Sequence, residues 1–330
     1  MARNGAGKDE IYRKTNSVVA VNDISFTVNR GEIFVVMGLS GSGKSTLVRC
    51  LNRLIDPTSG EIYLDGDDKA GSVTAADGEN LRQIRLRRIS MVFQHFALLP
   101  HRTVAENAAY GLKARGMSAK ERRDRAVHSL SKVGLDAWAD AYPGNLSGGM
   151  QQRVGLARAL AVDPEVLLMD EPFSALDPLI RREVQDQLLK LQDEIKTTII
   201  FITHDLQEAL KLGDQIAIMK DGKFVQVGTA EGIVSQPSDD YVRAFTSDVD
   251  RSRVLTPRRM MQPALPAAEM AGLGKVRADS YLCDVFGDLS TGRKLAVVDD
   301  DGSYLGVLDP LSVFAHLQAT ENSTGIGGRA

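Results

Sequence analysis

Residues 38–45 (GLSGSGKS) combine small, flexible residues with one lysine and one hydroxyl at the spacing GxxxxGK[ST]. With Gly38, Gly41 and Gly43 the backbone can curl until its N–H groups converge on phosphate oxygens, and the following helix adds its positive end. Lys44 brings a point charge to the β- and γ-phosphates, and the Ser45 hydroxyl suits Mg²⁺. Leu39, Ser40, Ser42 and Thr46 complete a cradle whose ligand reads as ATP. A second chemical pair closes the apolar run VLLMDE (166–171), where an α/β sheet presents groups to ligand at its carboxyl edge. Asp170 can hold the metal, directly or through water, while Glu171 points elsewhere and can polarise an attacking water. A plain glycine turn and a solvated strand end are the bland alternatives; the strand, loop and helix context and the co-occurrence of the two motifs weigh against them.

A second glycine-rich stretch, LSGGMQQR (146–153), precedes a helical run. Ser147, Gly148 and Gly149 form another helix start whose free N–H groups and hydroxyl can grip phosphate. One ATP already has its cradle, so this second grip is expected to serve another copy: two chains pair head to tail, each closing its loop over the partner's γ-phosphate.

The elements that must position these residues are legible as patterns. Expected strands are SFTV (25–28), IFVVM (33–37), EIYL (61–64) closed by the turn Asp65-Gly66, VLLMD (166–170) and TIIFIT (198–203). Leu47, Leu51 and Leu54 recur at helical spacing after Lys44. Polar, helix-favouring sequence over 104–141, within a helical subdomain of about 100–150, reads as an insertion in the α/β core. IAIMKDGKFVQVG (216–228) reads as a hairpin turning at Asp221-Gly222. The expected domains are an ATP-binding domain over 1–250, a linker over 251–276 with the Pro-, Ala- and Met-rich stretch 256–274, a small α+β unit over 277–320 and a flexible tail over 321–330.

Bulk properties agree with a two-domain globular chain of 330 residues, 43% of them hydrophobic. A net charge of −3 and a pI near 6.0 imply no global pull toward nucleic acid or anionic lipid. Cys50 and Cys283 lie far apart with no metal spacing, which argues against a disulfide framework or zinc site and fits a reducing cytoplasm. The longest apolar runs are too short for a membrane span, and the polar start is no secretion signal. The basic runs 81–89 and 113–125 read as solvated helix faces, with contact to anionic lipid the lesser reading; without interleaved aromatics they imply no nucleic acid.

GLSGSGKST, VFQ (92–94), LSGGMQQR, VLLMDEPFSALD and ITHD (202–205) occur in an order that resembles the ATP-binding subunits of ABC transporters, over residues 19–245. The resemblance implies a P-loop NTPase core with an antiparallel β subdomain and a helical insertion, hydrolysing ATP with Mg²⁺. It implies that Ser147, Gly148, Gly149 and Gln151 act in trans across a homodimer and that Asp177 reports across it. It further implies that Gln94 links metal and attacking water to the permease, with His204 holding the γ-phosphate and the catalytic geometry beside Glu171. Where the family usually stacks adenine on an aromatic residue, TNSVVAV (15–21) has none, leaving Tyr12 or an aliphatic contact from Val18 or Val19.

The texture of 31–60, 90–107 and 170–188 resembles the subunit of importers for glycine betaine, proline betaine and choline. That implies integral-membrane permease partners, indirectly an extracytoplasmic solute-binding protein, and a place on the cytoplasmic face of the plasma membrane. LAVVDDDGSYLGVLDPLSVFAHL (295–317) resembles one CBS repeat, with RSRVLTPRRMM (251–261) as a possible eroded start of another; a single repeat would act by pairing across a dimer, as a regulatory or dimerisation unit. The rivals are a soluble ABC-type ATPase of DNA repair or translation, which would favour tandem cassettes or long coiled coils, and a P-loop kinase, which has no use for the Ser147 loop.

Overall fold

Apolar runs rich in Val and Ile build the centre of the chain. The computed structural model describes residues 5–65, 71–94 and 97–319. It divides into a first unit running to Val227 and a second beginning at Gly228. In order, the first unit holds α1 (Lys8–Thr15), β1 (Ile33–Met37), α2 (Lys44–Leu51), α3 (Gly78–Arg87), β2 (Ile89–Val92), α4 (Val104–Ala108), α5 (Tyr110–Ala114), α6 (Ala119–Lys132), α7 (Gly148–Leu160), β3 (Val166–Asp170), α8 (Pro178–Ile195), β4 (Thr198–Thr203), α9 (Leu206–Leu212), β5 (Gln215–Lys220) and β6 (Lys223–Gly228).

The six strands form one sheet in the order β2-β3-β4-β1-β5-β6. Pairing is parallel from β2 through β5, with Met37 beside Thr203 and Asp170 beside Ile202. That register sets the ends of β1, β3 and β4 at one carboxyl edge, the place where open α/β sheets bind ligands. Every residue of β1 is buried, as a strand covered on both faces requires. Phe34 and Val36 pack with Leu47 and Val48 of α2, while Val35 lies against the chain at Gly213, just past α9. Fully burying each such side chain contributes about 1.5–3 kcal/mol. The hairpin β5-β6 turns at Asp221 and Gly222, both at positive φ, as the expected two-residue turn requires.

The helical insertion is present. Its helices α4 and α6 start with capping boxes, Thr103 with Glu106 and Ser118 with Glu121, which satisfy orphan N–H groups at each start. The antiparallel part is sparser than expected. Among the described residues, 25–28 and 61–64 join no strand ladder, and only a bridge between Tyr63 and Ser72 forms. Ile24, Phe26 and Val28 nevertheless turn inward in strict alternation and pack on the sheet core, so burial rather than a ladder holds the segment. Gly66, of the expected Asp65-Gly66 turn, lies outside the described residues. Helix α2 ends at Leu51 rather than carrying Leu54, because Arg53 takes φ 54° and turns the chain.

The second unit contains α10 (Ala230–Ser235), α11 (Asp240–Thr246), α12 (Pro257–Met260), β7 (Gln262–Pro263), α13 (Ala267–Met270), β8 (Gly274–Arg277), α14 (Phe286–Leu289), β9 (Leu295–Val298), β10 (Tyr304–Leu308) and α15 (Pro310–Ala319). Its sheet runs β7-β10-β9-β8. The stretch read as a linker is folded. Leu255 and Val276 enter the unit's core with Leu282, Val297 and Leu308, and Gln262 pairs with Val307. The second unit therefore begins before residue 250, at Gly228. The tail at 321–330 lies outside the described residues.

Candidate active site at the carboxyl edge of the sheet

The phosphate loop leaves β1 at Met37 and enters α2 at Lys44. Gly38 and Gly43 adopt φ 157° and 109°. A Cβ on Gly38 would fall 2.2 Å from the Met219 carbonyl oxygen, and one on Gly43 2.0 Å from that of Ala20, so backbone on both sides excludes any side chain. Lys44 is buried, and its Nζ donates to the carbonyls of Gly38 at 2.7 Å and Leu39 at 3.1 Å, curling the loop around the ammonium. Burial pushes its pKa below the ordinary lysine value, against the opposing carboxylates of Glu171 and Asp170. Leu39, Ser40 and Gly41 are exposed along the loop, while Ser42 is buried.

Ser45 Oγ donates to Asp170 Oδ1 at 2.9 Å, joining the start of α2 to the end of β3 across 125 residues of sequence. Arg49, one turn beyond Ser45 on α2, meets the other oxygen, Oδ2, at 3.1 Å. Asp170 is 2% exposed, so the guanidinium offsets a charge that burial would otherwise disfavour. Hydroxyl and carboxylate oxygens side by side are hard donors of the kind Mg²⁺ takes, and a glycine-rich loop beside a lysine fits a phosphate chain.

Glu171 follows at φ 45°, a strained conformation for a residue with a side chain, and its N–H donates to the Ile202 carbonyl at 3.1 Å. This turn separates the directions of the two adjacent carboxylates. Glu171 Oε2 lies 3.1 Å from Nδ1 of His204, one residue past β4. Gln94 is exposed two residues past β2, at the same edge of the sheet.

The remaining expected residues lie at helix starts and make local bonds. Ser147 caps α7, its Oγ accepting from the Met150 N–H at 3.3 Å; the hydroxyl proton stays available to an outside acceptor. Ser147 and Gly148 are exposed, whereas Gly149 is buried against Ile180. Gln151 Nε2 donates back to the carbonyls of Pro143 and Leu146. Asp177 caps α8, accepting from the N–H groups of Leu179 and Ile180. Tyr12 is exposed on α1, while Val19 is half-buried next to Ala20, whose carbonyl abuts Gly43. Sequence reasoning missed Arg49, although its spacing of four from Ser45 on a helix was the signal.

The model of the ABC transporter family matches residues 21–174. The trimethylamine N-oxide transport system ATP-binding protein of Pelagibacter ubique is 45% identical over 311 residues, 94% of this chain and 89% of that protein. The chain belongs to the ABC transporter ATP-binding family. Within it, a glycine betaine transport ATP-binding protein of Bacillus subtilis is 58% identical over 264 residues, covering 80% of this chain, which spans only 62% of that relative's length. A dimeric ATP-binding cassette solved in a post-hydrolysis state with ADP and phosphate matches with TM-score 0.57 and 37% identity, over 64% of this chain and 90% of that one. Among the described residues, no helix is long and apolar enough to cross a membrane.

Proposed function

We propose that this chain is the ATP-hydrolysing subunit of an importer for glycine betaine or proline betaine, with choline in the same solute class. The 58% identity to a glycine betaine transport ATP-binding protein is the observation that carries this reading. A second reading, trimethylamine N-oxide, draws on a less identical relative that spans nearly the whole chain. Glycine betaine and trimethylamine N-oxide both carry a trimethylated nitrogen.

In this reading the loop from Gly38 to Thr46 binds the phosphates, Lys44 neutralises β- and γ-oxygens, and Ser45 and Asp170, with Gln94, hold Mg²⁺. The metal, when bound, draws charge from the phosphate oxygens. Glu171 accepts a proton from the attacking water. His204 orients that carboxylate and the γ-phosphate. The Ser147 hydroxyl and the N–H groups of Gly148 and Gly149, with Gln151 bracing their loop, reach the triphosphate held by the partner of a head-to-tail homodimer, and Asp177 lies along the same interface. Preorganised donors of this kind supply most of the rate in phosphoryl transfer. Val19 is the better candidate for the base than Tyr12, because its neighbour Ala20 abuts the phosphate loop. The subunit works on the cytoplasmic face of the plasma membrane with permease partners and, through them, a solute-binding protein. The second unit serves as a regulatory or dimerisation module.

The test is uptake of labelled glycine betaine, proline betaine, choline and trimethylamine N-oxide by cells lacking this chain and supplied with wild type or Glu171→Gln. Wild type restores uptake of a betaine, and Glu171→Gln does not, its kcat falling by about 10²–10⁴-fold with ATP still bound. Uptake of all four solutes indifferent to the chain, or normal turnover by Glu171→Gln, would refute the reading.

A further inference from the structure

The loop carrying His204 rests on a buried carboxylate to which the catalytic roles above give no part. Glu208 of α9 is 4% exposed. Its Oε2 accepts from Thr203 Oγ1 at 2.6 Å, and its Oε1 lies 3.3 Å from Gln185 Nε2 and 3.7 Å from Arg181 Nε. Thr203 Oγ1 in turn accepts the Asp205 N–H at 3.0 Å, so the residues on either side of His204 are tied to each other and to Glu208. Arg181, in the first turns of α8, reaches the same cluster from the other side. Its NH1 donates to Asp205 Oδ2 at 3.1 Å and its NH2 to the Leu176 carbonyl at 3.1 Å. Leu176 immediately precedes Asp177, and Asp205 immediately follows His204.

One guanidinium therefore holds the Leu176 carbonyl and the Asp205 carboxylate, 29 residues apart in sequence, by two hydrogen bonds of its planar fork, with the Glu208 carboxylate at ion-pair distance from Nε as a third group. A lysine has a single charged point and cannot serve all three. Packing alone does not call for this arrangement, since a buried ion pair is often no more stabilising than apolar residues of the same volume. The ties are confined to the flanks of the two residues expected at the γ-phosphate and at the dimer face.

We propose that Arg181 is a positioning residue that fixes the placement of His204 to that of the Asp177 segment, so that the γ-phosphate contact and the dimer face move as one unit. This rests on the hydrolytic reading above. Arg181 touches no reacting atom and acts through Leu176, Asp205 and Glu208.

The test compares Arg181→Lys, Arg181→Met and the double variant Arg181→Met with Glu208→Gln, all in the full chain. The double variant leaves no unpaired buried carboxylate, so its folding stability should recover toward wild type even where Arg181→Met alone unfolds. In each folded variant kcat should fall about tenfold or more while the KM for ATP stays within about twofold, as for an interaction made only in the transition state. The ¹⁵N resonances of the His204 imidazole, assigned by their loss in His204→Ala, should shift as well. A double variant that regains both stability and kcat, or a folded Arg181→Lys with wild-type kcat and unmoved His204 signals, would reduce Arg181 to a structural prop and overturn the proposal. Absence of hydrolysis by the wild type would instead defeat the hydrolytic reading.

Discussion

At the scale of single residues, chemistry was legible where it is local and hidden where it depends on sheet order. Gly38 to Thr46 and the adjacent pair Asp170 and Glu171 announce themselves by spacing, because a phosphate loop is one continuous turn of backbone. The partners that tune them do not. Arg49 meets Asp170 only because α2 lies beside the end of β3, and Arg181 meets Glu208 only because α8 packs beside α9. Lys44 gives a testable consequence. Burial holds its pKa below the ordinary value, and bound phosphate oxygens must raise it again. As pH rises through the depressed value, free protein loses a proton that the complex keeps, so ATP binding takes up a proton and weakens toward alkaline pH. Titration calorimetry in buffers of different ionisation enthalpy reads this uptake; binding with no proton exchange at alkaline pH would contradict it.

At the scale of elements, the parallel strands were readable as apolar runs and the insertion as polar helical sequence, because in both the pattern follows from burial. Residues 25–28 show the limit: alternation is visible in the sequence and in the inward-facing side chains, but alternation does not specify a ladder partner. Glycines are similarly ambiguous from sequence. Gly149 reads as part of an anion grip, yet the structure also makes it a packing residue, since a Cβ there would fall 2.1 Å from Cγ2 of Ile180. That methyl sits on a β-branched side chain and cannot swing aside freely. Gly149→Ala should therefore lower stability by about 1–3 kcal/mol through overpacking between α7 and α8. Adding Ile180→Ala should recover part of that loss, as urea unfolding of the single and double variants would show; an unchanged midpoint for Gly149→Ala would contradict the close fit.

At the scale of the whole molecule, composition misled over residues 256–274. A Pro-, Ala- and Met-rich stretch without periodicity reads as a linker, but Met270 inside it and Leu255 and Val276 just beyond its ends are each buried in the second unit, among short elements whose spacing no single period describes. The first unit carries two glycine-rich helix starts, one behind Gly43 and one behind Ser147, and the free N–H groups of such starts can hold phosphate. Two such grips on one chain make sense when a symmetric pair of chains forms two shared sites. The most direct measurement mixes Lys44→Ala with Ser147→Arg, each inactive by itself. In a head-to-tail heterodimer one site collects both defects and the other has none, so an equal mixture should recover about a quarter of wild-type ATP hydrolysis. A mixture as inactive as its components, or either variant hydrolysing ATP at the wild-type rate by itself, would contradict a site shared between two chains.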